Sequence, residues 1–461
     1  MAPKFGTSGL RGLVTELTPA CVGAHVAAFV AACPVGAGVF VAHDLRPSSP
    51  DIAQVVAQAA RAAGVVVTLC GPIPTPALAL AAMQAGAAAV MITGSHIPAD
   101  RNGLKFYTPA GEITKLQEAA ILAALGHDSP MMPGPDMVHN TTAGAAYVAR
   151  YATAYTGALS DMRIGVYAHS AVGAALLVDI LEQLGAAVIV LGQSKTFVPV
   201  DTEAVAPQLR AQLVNWAKAY PVDAIVSTDG DGDRPLVTDE TGAVIGGDIL
   251  GQITAAAVGA DVVVTPVSSN TGVEMGGRFA QVIRTAIGSP FVIAGMAQAS
   301  GHVVGYEANG GFLLGFDAHG PTGVLSALLT RDALLPIISV LARSNRCGLG
   351  ALVAAEPPRF TAADRLQDVP TDQSLALVDA LTHDAAARAA FLTLLDGAEA
   401  RINCVDGLRM KLVDGRIVHL RPSGNAPELR LYVEAEGPQQ AQKTLAMGLL
   451  ALRDTLALSA I

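Results

Sequence analysis

The sequence has no cysteine pair at metal-binding spacing and no excess of basic residues. Its five cysteines are odd in number and none forms a CxxC pair, which argues against a zinc site and for free thiols in a reducing compartment. The 39 acidic residues outnumber the 29 lysines and arginines, so the net charge is −10. We therefore expect no nucleic acid and no anionic membrane among its partners. An anionic substrate would have to be bound by local arginine and lysine side chains.

The sequence also lacks an apolar stretch with the character of a membrane span. Residues 22–41 and 77–93 are apolar, but both are rich in alanine and glycine, and the first contains His25 and Pro34. We predict that each is a helix followed by a buried strand. The segment MAPKFGTSGLRG at the start has no apolar signal core, so we expect a cytoplasmic protein.

Helix and strand patterns alternate in three successive parts of this 461-residue chain, which has the length of three or four ordinary domains. In the first part we predict strands at 39–41, 65–69 and 88–92, with helices at 50–63 and 75–85. In the second part we predict strands at 164–167, 187–191 and 224–228, with helices at 173–184 and 207–220. In the third we predict helices at 249–258 and 273–279, with strands at 262–265 and 303–306.

The last hundred residues follow another pattern. Short strands are predicted at 401–405, 409–413, 416–420 and 430–435, with Asp-Gly turns between them and a closing helix at 439–456. The fold class we expect is α/β, with three similar mixed α/β domains in series plus a C-terminal α+β domain with an antiparallel sheet, around a central cleft. The predicted boundaries are 1–138, 139–240, 241–355 and 356–461, with Pro357 and Pro358 marking the last linker.

The motif DGDGDR directly follows the apolar run 224–228, which is typical of a buried parallel strand. Asp229, Asp231 and Asp233 alternate with two glycines, so three carboxylates can converge at the end of that strand. Such a cluster favours a magnesium or calcium ion. An EF-hand is excluded because Arg234 stands where its loop needs glycine. A solvated acidic turn is the remaining alternative for this hexapeptide taken alone.

A second polar loop follows the predicted strand 88–92 and reads TGSHIPADRNGLK. Ser95 at the end of a strand is placed like a nucleophile, with His96 beside it and Lys105 ten residues further on. Taken alone, a Ser-His pair in a loop is more typical of turn chemistry than of catalysis.

Three further segments carry groups suited to phosphates and sugars. The glycine-rich FGTSGLRG contains Thr7, Ser8 and Arg11, and RPSGNAPELR supplies donors that could wrap a phosphate, namely Arg421, Ser423, Gly424, Asn425 and Arg430. GYEANGGF offers Glu307 and Asn309, a carboxylate and an amide that suit sugar hydroxyls. Each segment alone could equally be an ordinary turn or hairpin loop.

Taken in order, these segments make the chain resemble the α-D-phosphohexomutase superfamily, the four-domain phosphoglucomutase and phosphomannomutase enzymes. The resemblance implies an isomerase that transfers a phosphoryl group between carbon 1 and carbon 6 of a hexose phosphate. The transfer would pass through a phosphoserine enzyme and a hexose 1,6-bisphosphate, which also serves as activator. It further implies a phosphorylated hexose as the binding partner and a monomer or small homo-oligomer.

The resemblance assigns roles to individual residues. Ser95 would carry the phosphoryl group, and its phosphate would hold Mg²⁺ together with Asp229, Asp231 and Asp233. Lys105 would act in general acid/base catalysis, with His96 close by, and Arg11 and Arg234 would flank the site. The substrate-binding residues would be Thr7, Ser8, Glu307, Asn309, Arg421, Ser423, Gly424, Asn425 and Arg430.

The chain departs from the family pattern at several motif positions. Gly94 and Ile97 stand where alanine and asparagine are usual in the serine loop, and Asn425 replaces a common threonine. In the sugar loop Asn309 replaces serine and Gly311 replaces histidine, so a frequent imidazole is missing, and His319 is one possible substitute. These variants resemble a phosphomannomutase-like subgroup, which favours mannose 6-phosphate and mannose 1-phosphate as substrates.

Other functions stay open on the sequence. A phosphoglucomutase or phosphoglucosamine mutase would share the fold. A magnesium-dependent sugar-phosphate phosphatase would use Asp229 as its nucleophile, and a binding protein could have kept the fold and lost turnover.

Overall fold

The computed structural model describes residues 3–6, 9–126, 134–423 and 427–458. The chain forms two compact units, one of residues 1–264 and 288–355 and the other of residues 265–287 and 356–461. Among the described residues, none of the helices combines the length and the apolar character that crossing a bilayer requires. The five cysteines are free thiols.

The first part of unit one is built on an eight-stranded sheet with the order β1-β2-β6-β5-β3-β4-β8, to which β7 adds beside β6. Its elements are β1 (Lys4–Phe5), β2 (Leu10–Leu13), α1 (Pro19–Ala32), β3 (Val39–His43), α2 (Ser49–Ala62), β4 (Val67–Pro72), α3 (Thr75–Gln84), β5 (Ala88–Ile92), β6 (Arg101–Thr108), β7 (Gly111–Glu112), α4 (Lys115–Ala124) and β8 (Val138–His139). Strand β3 pairs in parallel with both β4 and β5. All five residues of β5 are buried, as expected for an inner strand covered on both faces.

The second sheet has the order β10-β9-β11-β12, in which the first three strands are parallel. Its elements are α5 (Ala143–Ala154), β9 (Arg163–Tyr167), α6 (Ala174–Gln183), β10 (Ala187–Leu191), α7 (Pro207–Ala219), β11 (Ala224–Thr228) and β12 (Pro235–Val237). Strand β12 returns antiparallel beside β11. The hexapeptide 229–234 is therefore the tight connection between two buried strands.

In the third sheet β13, β15, β16 and β19 are hydrogen-bonded in that order. The elements along this part of the chain are α8 (Gly247–Ala257), β13 (Val262–Pro266), a 3₁₀ turn (Thr271–Glu274), β14 (Gln281–Thr285), α9 (Ser289–Gln298), β15 (Val303–Tyr306), β16 (Phe312–Leu314), β17 (Ala318–His319), β18 (Val324–Leu325), β19 (Leu328–Asp332), α10 (Leu334–Ser344) and α11 (Leu349–Ala354). The predicted helix 273–279 is wrong. The 3₁₀ turn ends at Glu274 with Met275 extended, and Gly276 and Gly277, both at positive φ, do not resume a helix. Helix α9 begins only at Ser289.

The C-terminal part of unit two has a five-stranded antiparallel sheet with the order β20-β24-β23-β22-β21. Its elements are β20 (Phe360–Gln367), α12 (Thr371–His383), α13 (Ala385–Thr393), β21 (Glu399–Asn403), β22 (Leu408–Leu412), β23 (Ile417–Pro422), β24 (Glu428–Ala435) and α14 (Pro438–Leu458). Both predicted Asp-Gly turns are present, with Gly407 and Gly415 at positive φ. The predicted series of mixed α/β domains followed by an antiparallel α+β domain is confirmed, although β20, α12 and α13 were not predicted.

Candidate active site

The acidic motif is a loop that depends on its two glycines. It runs from Asp229 to Arg234 between β11 and β12, and all of its residues are buried. Gly232 adopts φ +75°, a conformation that side chains other than glycine rarely tolerate. A Cβ on Gly230 would lie 2.8 Å from the carbonyl oxygen of Ser95. The glycines thus let this loop turn back and press against the serine loop.

The three aspartates form a compact cluster of oxygen donors. One carboxylate oxygen from each of Asp229, Asp231 and Asp233 lies within 4.8 Å of the others, and each residue is completely buried. Burial, and then the charges of Asp231 and Asp233, raise the pKa of Asp229 well above its ordinary value. Oδ1 of Asp231 and Oδ1 of Asp233 are buried without a hydrogen-bond partner. An all-oxygen cluster with unsatisfied acceptors fits a hard divalent cation such as Mg²⁺.

Lys105 enters this cluster from β6. Its Nζ lies 2.6 Å from Oδ2 of Asp231 and 2.5 Å from Oδ2 of Asp233. The hydroxyl of Thr75, at the start of α3, also donates to Oδ2 of Asp231 at 2.5 Å. The ammonium and hydroxyl groups therefore occupy the Oδ2 side of these acids, whereas Oδ1 of Asp231 has no hydrogen-bond partner and Oδ1 of Asp233 lies 3.7 Å from Nε of Arg234.

The serine loop meets the acidic cluster directly. Ser95 follows β5 with φ +54°, an uncommon value for a residue other than glycine. Its amide donates to Oγ1 of Thr93 at 2.8 Å, and its own hydroxyl donates to Oδ2 of Asp229. Two motifs that are 134 positions apart in the sequence are thus joined by a hydrogen bond at the candidate nucleophile.

Arg46 holds the serine loop in this conformation, and sequence reasoning missed it. Its guanidinium is buried and donates to four main-chain carbonyls, those of Ser95, Ile97, Pro98 and Arg101, at 2.6–3.1 Å. Its Nε pairs with Asp44 at 3.1 Å, and Asp44 accepts from Thr93 at 2.7 Å. A Cβ on Gly94 would lie 2.6 Å from Cζ of Arg46. The guanidinium of Arg46 therefore fills the space that a side chain at position 94 would occupy.

A signal for Arg46 was present in the sequence. The Asp-x-Arg segment follows β3, and β3 lies beside β5 with His43 opposite Ile92. Because the carboxyl ends of neighbouring parallel strands share one edge of a sheet, a charged pair after β3 could have been expected to meet the loop after β5.

His96 and Arg234 also lie beside Ser95 and the acidic cluster, and Nε of Arg234 is 4.0 Å from Oδ2 of Asp229. Nδ1 of His96 is 3.3 Å from Oγ of Ser95 and 3.0 Å from Nη1 of Arg234. Since a guanidinium can only donate, Nδ1 accepts and the ring proton is on Nε2. Burial, and then the charge of Arg234, lower the pKa of His96 to about 3, so the ring is neutral near pH 7. Burial, followed by Arg234 and Arg331, likewise lowers the pKa of Arg11 to about 10. Arginines thus converge here, as an anion-binding site requires.

Glu307 and Asn309 of the sugar loop are both buried. Oδ1 of Asn309 accepts from the amide of Gly311 at 3.0 Å, and the amide of Gly310 donates to the carbonyl of Glu307 at 2.9 Å. Arg331, a second residue missed from the sequence, lies 3.4 Å from Glu307 and 2.9 Å from Asp233. An Arg-Asp pair inside the apolar run LLTRDALLP was its available signal, because charges in such a run are buried only when paired. His319 is exposed on β17.

The phosphate loop belongs to unit two. Arg421 pairs with Asp406 at 2.8 Å, Ser423 is buried and its amide donates to Glu428 at 2.9 Å, and Arg430 lies directly opposite Arg421 across β23 and β24. Arg365 on β20 is opposite Arg430 in turn. Like charges in register destabilise a sheet unless anions lie near them. Glu428 supplies one such anion, 3.3 Å from Arg365 and 3.6 Å from Arg430, as Asp406 does for Arg421. Of the predicted site, Thr7, Ser8, Gly424 and Asn425 lie outside the described residues.

Comparison with known proteins shows the family of the chain. Four family models match in order along the chain: the phosphoglucomutase/phosphomannomutase alpha/beta/alpha domains I, II and III at residues 2–130, 145–242 and 238–360, and the C-terminal domain at residues 368–451. A phosphomannomutase of Sinorhizobium fredii is 44% identical over 99% of this chain and 100% of its own length. One from Salmonella muenchen is 43% identical over 95% of this chain and 93% of its own.

Solved structures show the same fold. A phosphoglucomutase/phosphomannomutase family protein of Burkholderia thailandensis superposes with a TM-score of 0.77 at 21% identity, covering 97% of each chain. The N-acetylphosphoglucosamine mutase of Aspergillus fumigatus, solved with GlcNAc-6P and magnesium, gives a TM-score of 0.62 at 14% identity, covering 98% of this chain and 96% of its own. The resemblance noted from the motifs is therefore confirmed: the chain belongs to the phosphoglucomutase/phosphomannomutase family of isomerases.

Proposed function

We propose that this chain is a phosphomannomutase that interconverts mannose 6-phosphate and mannose 1-phosphate through a phosphoserine at Ser95. The observation that carries the proposal is the hydrogen bond from Oγ of Ser95 to Asp229 inside the cluster of three buried aspartates. Two relatives named phosphomannomutase, each above 40% identity over nearly the whole chain, support mannose as the sugar.

Asp229, Asp231 and Asp233 would hold Mg²⁺ together with the phosphate on Ser95. The ion would supply positive charge to the equatorial oxygens of the phosphoryl group, which is the main demand of phosphoryl transfer. The residues around the ion supply further positive charge and the proton transfer. Arg11 and Arg234 add fixed positive charge beside the acidic cluster, and Lys105 is the group we assign to proton transfer.

The reaction would consist of two phosphoryl transfers. In the first, the bond from phosphorus to Oγ of Ser95 breaks while a bond forms to the free hydroxyl of the hexose phosphate, which gives a hexose 1,6-bisphosphate. In the second, the bond from phosphorus to the sugar oxygen at the other end breaks while a bond forms to Oγ of Ser95. The sugar oxygen takes up a proton and Oγ releases one, so the serine is phosphorylated again. Arg421, Ser423, Gly424, Asn425 and Arg430 would bind the phosphate that is not reacting, because a fixed distal phosphate aligns the reacting end. Glu307 would contact the sugar hydroxyls.

The bisphosphate would also act as activator by phosphorylating the serine of resting enzyme. One Aspergillus fumigatus structure of the same fold contains glucose 1,6-bisphosphate, which supports this class of ligand. We place the enzyme in the cytoplasm.

Replacement of Ser95 by alanine tests the proposal. We expect Ser95→Ala to abolish isomerisation of mannose 1-phosphate while sugar-phosphate binding, measured by calorimetry, persists. Ser160→Ala, which alters an exposed serine, is the matched control and should keep full activity. Full activity in Ser95→Ala would reject the assignment.

Peptide mass analysis separates the alternatives. A mutase carries a stable phosphate on Ser95, whereas a phosphatase with Asp229 as nucleophile carries none there and releases inorganic phosphate. A protein that only binds sugar phosphates would isomerise nothing, even with a trace of bisphosphate. Comparison of kcat/KM for mannose, glucose and glucosamine 1-phosphates decides the sugar. A clear preference for either of the other two would overturn mannose specificity without affecting the mutase mechanism.

A further inference from the structure

Arg331 occupies the space beside the sugar loop that is left by a missing side chain. It is almost completely buried on β19, with 2% of its surface exposed. A Cβ built on Gly311 would lie 2.9 Å from Cδ and 3.0 Å from Cγ of Arg331. These atoms belong to the stem of the arginine and not to its far end, so the stem would have to shift to admit that Cβ. A side chain at position 311 and the observed pose of Arg331 therefore exclude each other.

The guanidinium of Arg331 contacts acids from three separate segments. Nη2 lies 2.9 Å from Oδ2 of Asp233 in the metal loop, and Nη1 lies 3.4 Å from Oε2 of Glu307 in the sugar loop. Nε lies 3.6 Å from Oε1 of Glu112 on β7. A planar guanidinium fixes the angles between its donors. It therefore sets the position of Glu307 relative to Asp233.

The residue after Arg331 is anchored as well. Asp332 accepts hydrogen bonds from the hydroxyls of Tyr147 and Tyr151 on α5, and its Oδ1 also accepts from the amide of Leu334 at 2.9 Å. These three bonds fix the end of β19. The backbone that carries Arg331 is thus held from the side opposite the site.

We propose that Arg331 is a positioning residue that couples the metal loop to the sugar loop, in the space left by Gly311. The inference rests on the proposed function, because it takes Glu307 as the group that contacts the sugar. In this proposal neither Arg331 nor Glu307 acts on the phosphoryl group itself. Loss of Arg331 would let Glu307 turn independently of Asp233, so sugar alignment would suffer even with an intact Ser95.

Arg331→Met and Arg331→Lys test the coupling. Methionine keeps part of the stem without the charge, and we expect kcat/KM for mannose 1-phosphate to fall by roughly 10²-fold, the usual cost of misaligned reactants. The single ammonium of lysine can serve Asp233 or Glu307 but not both. Since Asp233 is closer, Arg331→Lys should recover much of kcat while KM stays raised. Arg343→Met, at an exposed arginine, is the control and should match wild type.

A purely structural role predicts a different result. In that case methionine and lysine would lower activity only in proportion to the loss of thermal stability, with no separation of kcat from KM. That pattern, or wild-type kinetics in Arg331→Met, would overturn the proposal.

A double-mutant cycle tests the spatial argument independently of catalysis. Gly311→Ala should lower both activity and the unfolding midpoint of the otherwise natural enzyme, because its Cβ displaces Arg331. In an Arg331→Ala background the same change should cost little, since residues in contact are not additive. Equal effects of Gly311→Ala in both backgrounds would refute the claim that the side chains of positions 311 and 331 compete for one space. If the natural enzyme isomerised no hexose phosphate, the proposed function would fail, and the unfolding midpoints would still decide whether positions 311 and 331 are coupled.

Discussion

Replacement of Arg46 by methionine should uncouple the serine loop from the fold. The side chain of Arg46 has 1% of its surface exposed and makes an ion pair with Asp44 together with hydrogen bonds to four carbonyls of the loop. Methionine retains apolar stem volume but none of these bonds. Asp44 would be left as a buried carboxylate, with only hydroxyls and a main-chain amide as partners.

The expected cost follows from that loss. Removing one partner of a buried ion pair typically costs about 3–5 kcal/mol of unfolding free energy. Water can reach part of the loop, because Ile97 is only partly buried and Pro98 is exposed, so some of the carbonyls regain partners. We therefore expect a loss of about 3 kcal/mol, at the low end of that range. Ser95 loses its fixed position as well, and kcat should fall by roughly 10²-fold.

The assay combines urea unfolding with steady-state kinetics. Arg46→Lys keeps the charge near Asp44 but cannot reach four carbonyls, so its stability and kcat should both be intermediate. Arg61→Met changes a partly exposed arginine in the last turn of α2, paired with Asp136 at 3.1 Å, and should cost less than about 1 kcal/mol. Arg46→Met with the stability and kcat of the natural enzyme would refute the reasoning that this guanidinium holds the loop.

Three further outcomes are expected. Removal of divalent ions by EDTA should abolish turnover. Mg²⁺ at about 100 times its Kd should restore turnover and add about 2.7 kcal/mol to the free energy of unfolding. An unfolding midpoint that does not change with Mg²⁺ would contradict the metal site. Tyr151→Phe removes one hydroxyl that donates to buried Asp332 and should lower the unfolding free energy by about 1–3 kcal/mol. Tyr220→Phe, at an exposed tyrosine, should have little effect. Equal unfolding midpoints for the two variants would argue against the hydrogen bond from Tyr151 to Asp332. Burial lowers the pKa of His419 to about 4, below its unfolded value of about 6.5, so the unfolded chain binds the proton more tightly. The free energy of unfolding should therefore fall by at most about 3 kcal/mol as the pH drops from 6.5 to 4. His419→Gln should flatten the plot of stability against pH in this range, and an unchanged slope would assign the pH dependence to other groups.

The sequence alone determined the elements and the chemistry of this protein. Apolar runs bounded by glycine and proline predicted about half of the strands and helices of the described residues, among them the inner parallel strands, because burial on both faces of a parallel sheet selects such runs. The alternation of aspartate and glycine in DGDGDR predicted a convergent acidic cluster, because only glycine permits the turn at position 232. Motif order then identified the family.

Only the tertiary structure decided which groups meet. Arg46 and Arg331 have no motif of their own, and their roles arise from strands that are neighbours in space but distant in sequence. Gly94 and Gly311 looked like losses of a family side chain, whereas each leaves the space that one of these arginines fills. The local sequence pattern around a residue indicates whether its side chain is buried. The partner that neutralises a buried charge is set by packing between separate elements, and no local pattern encodes that packing.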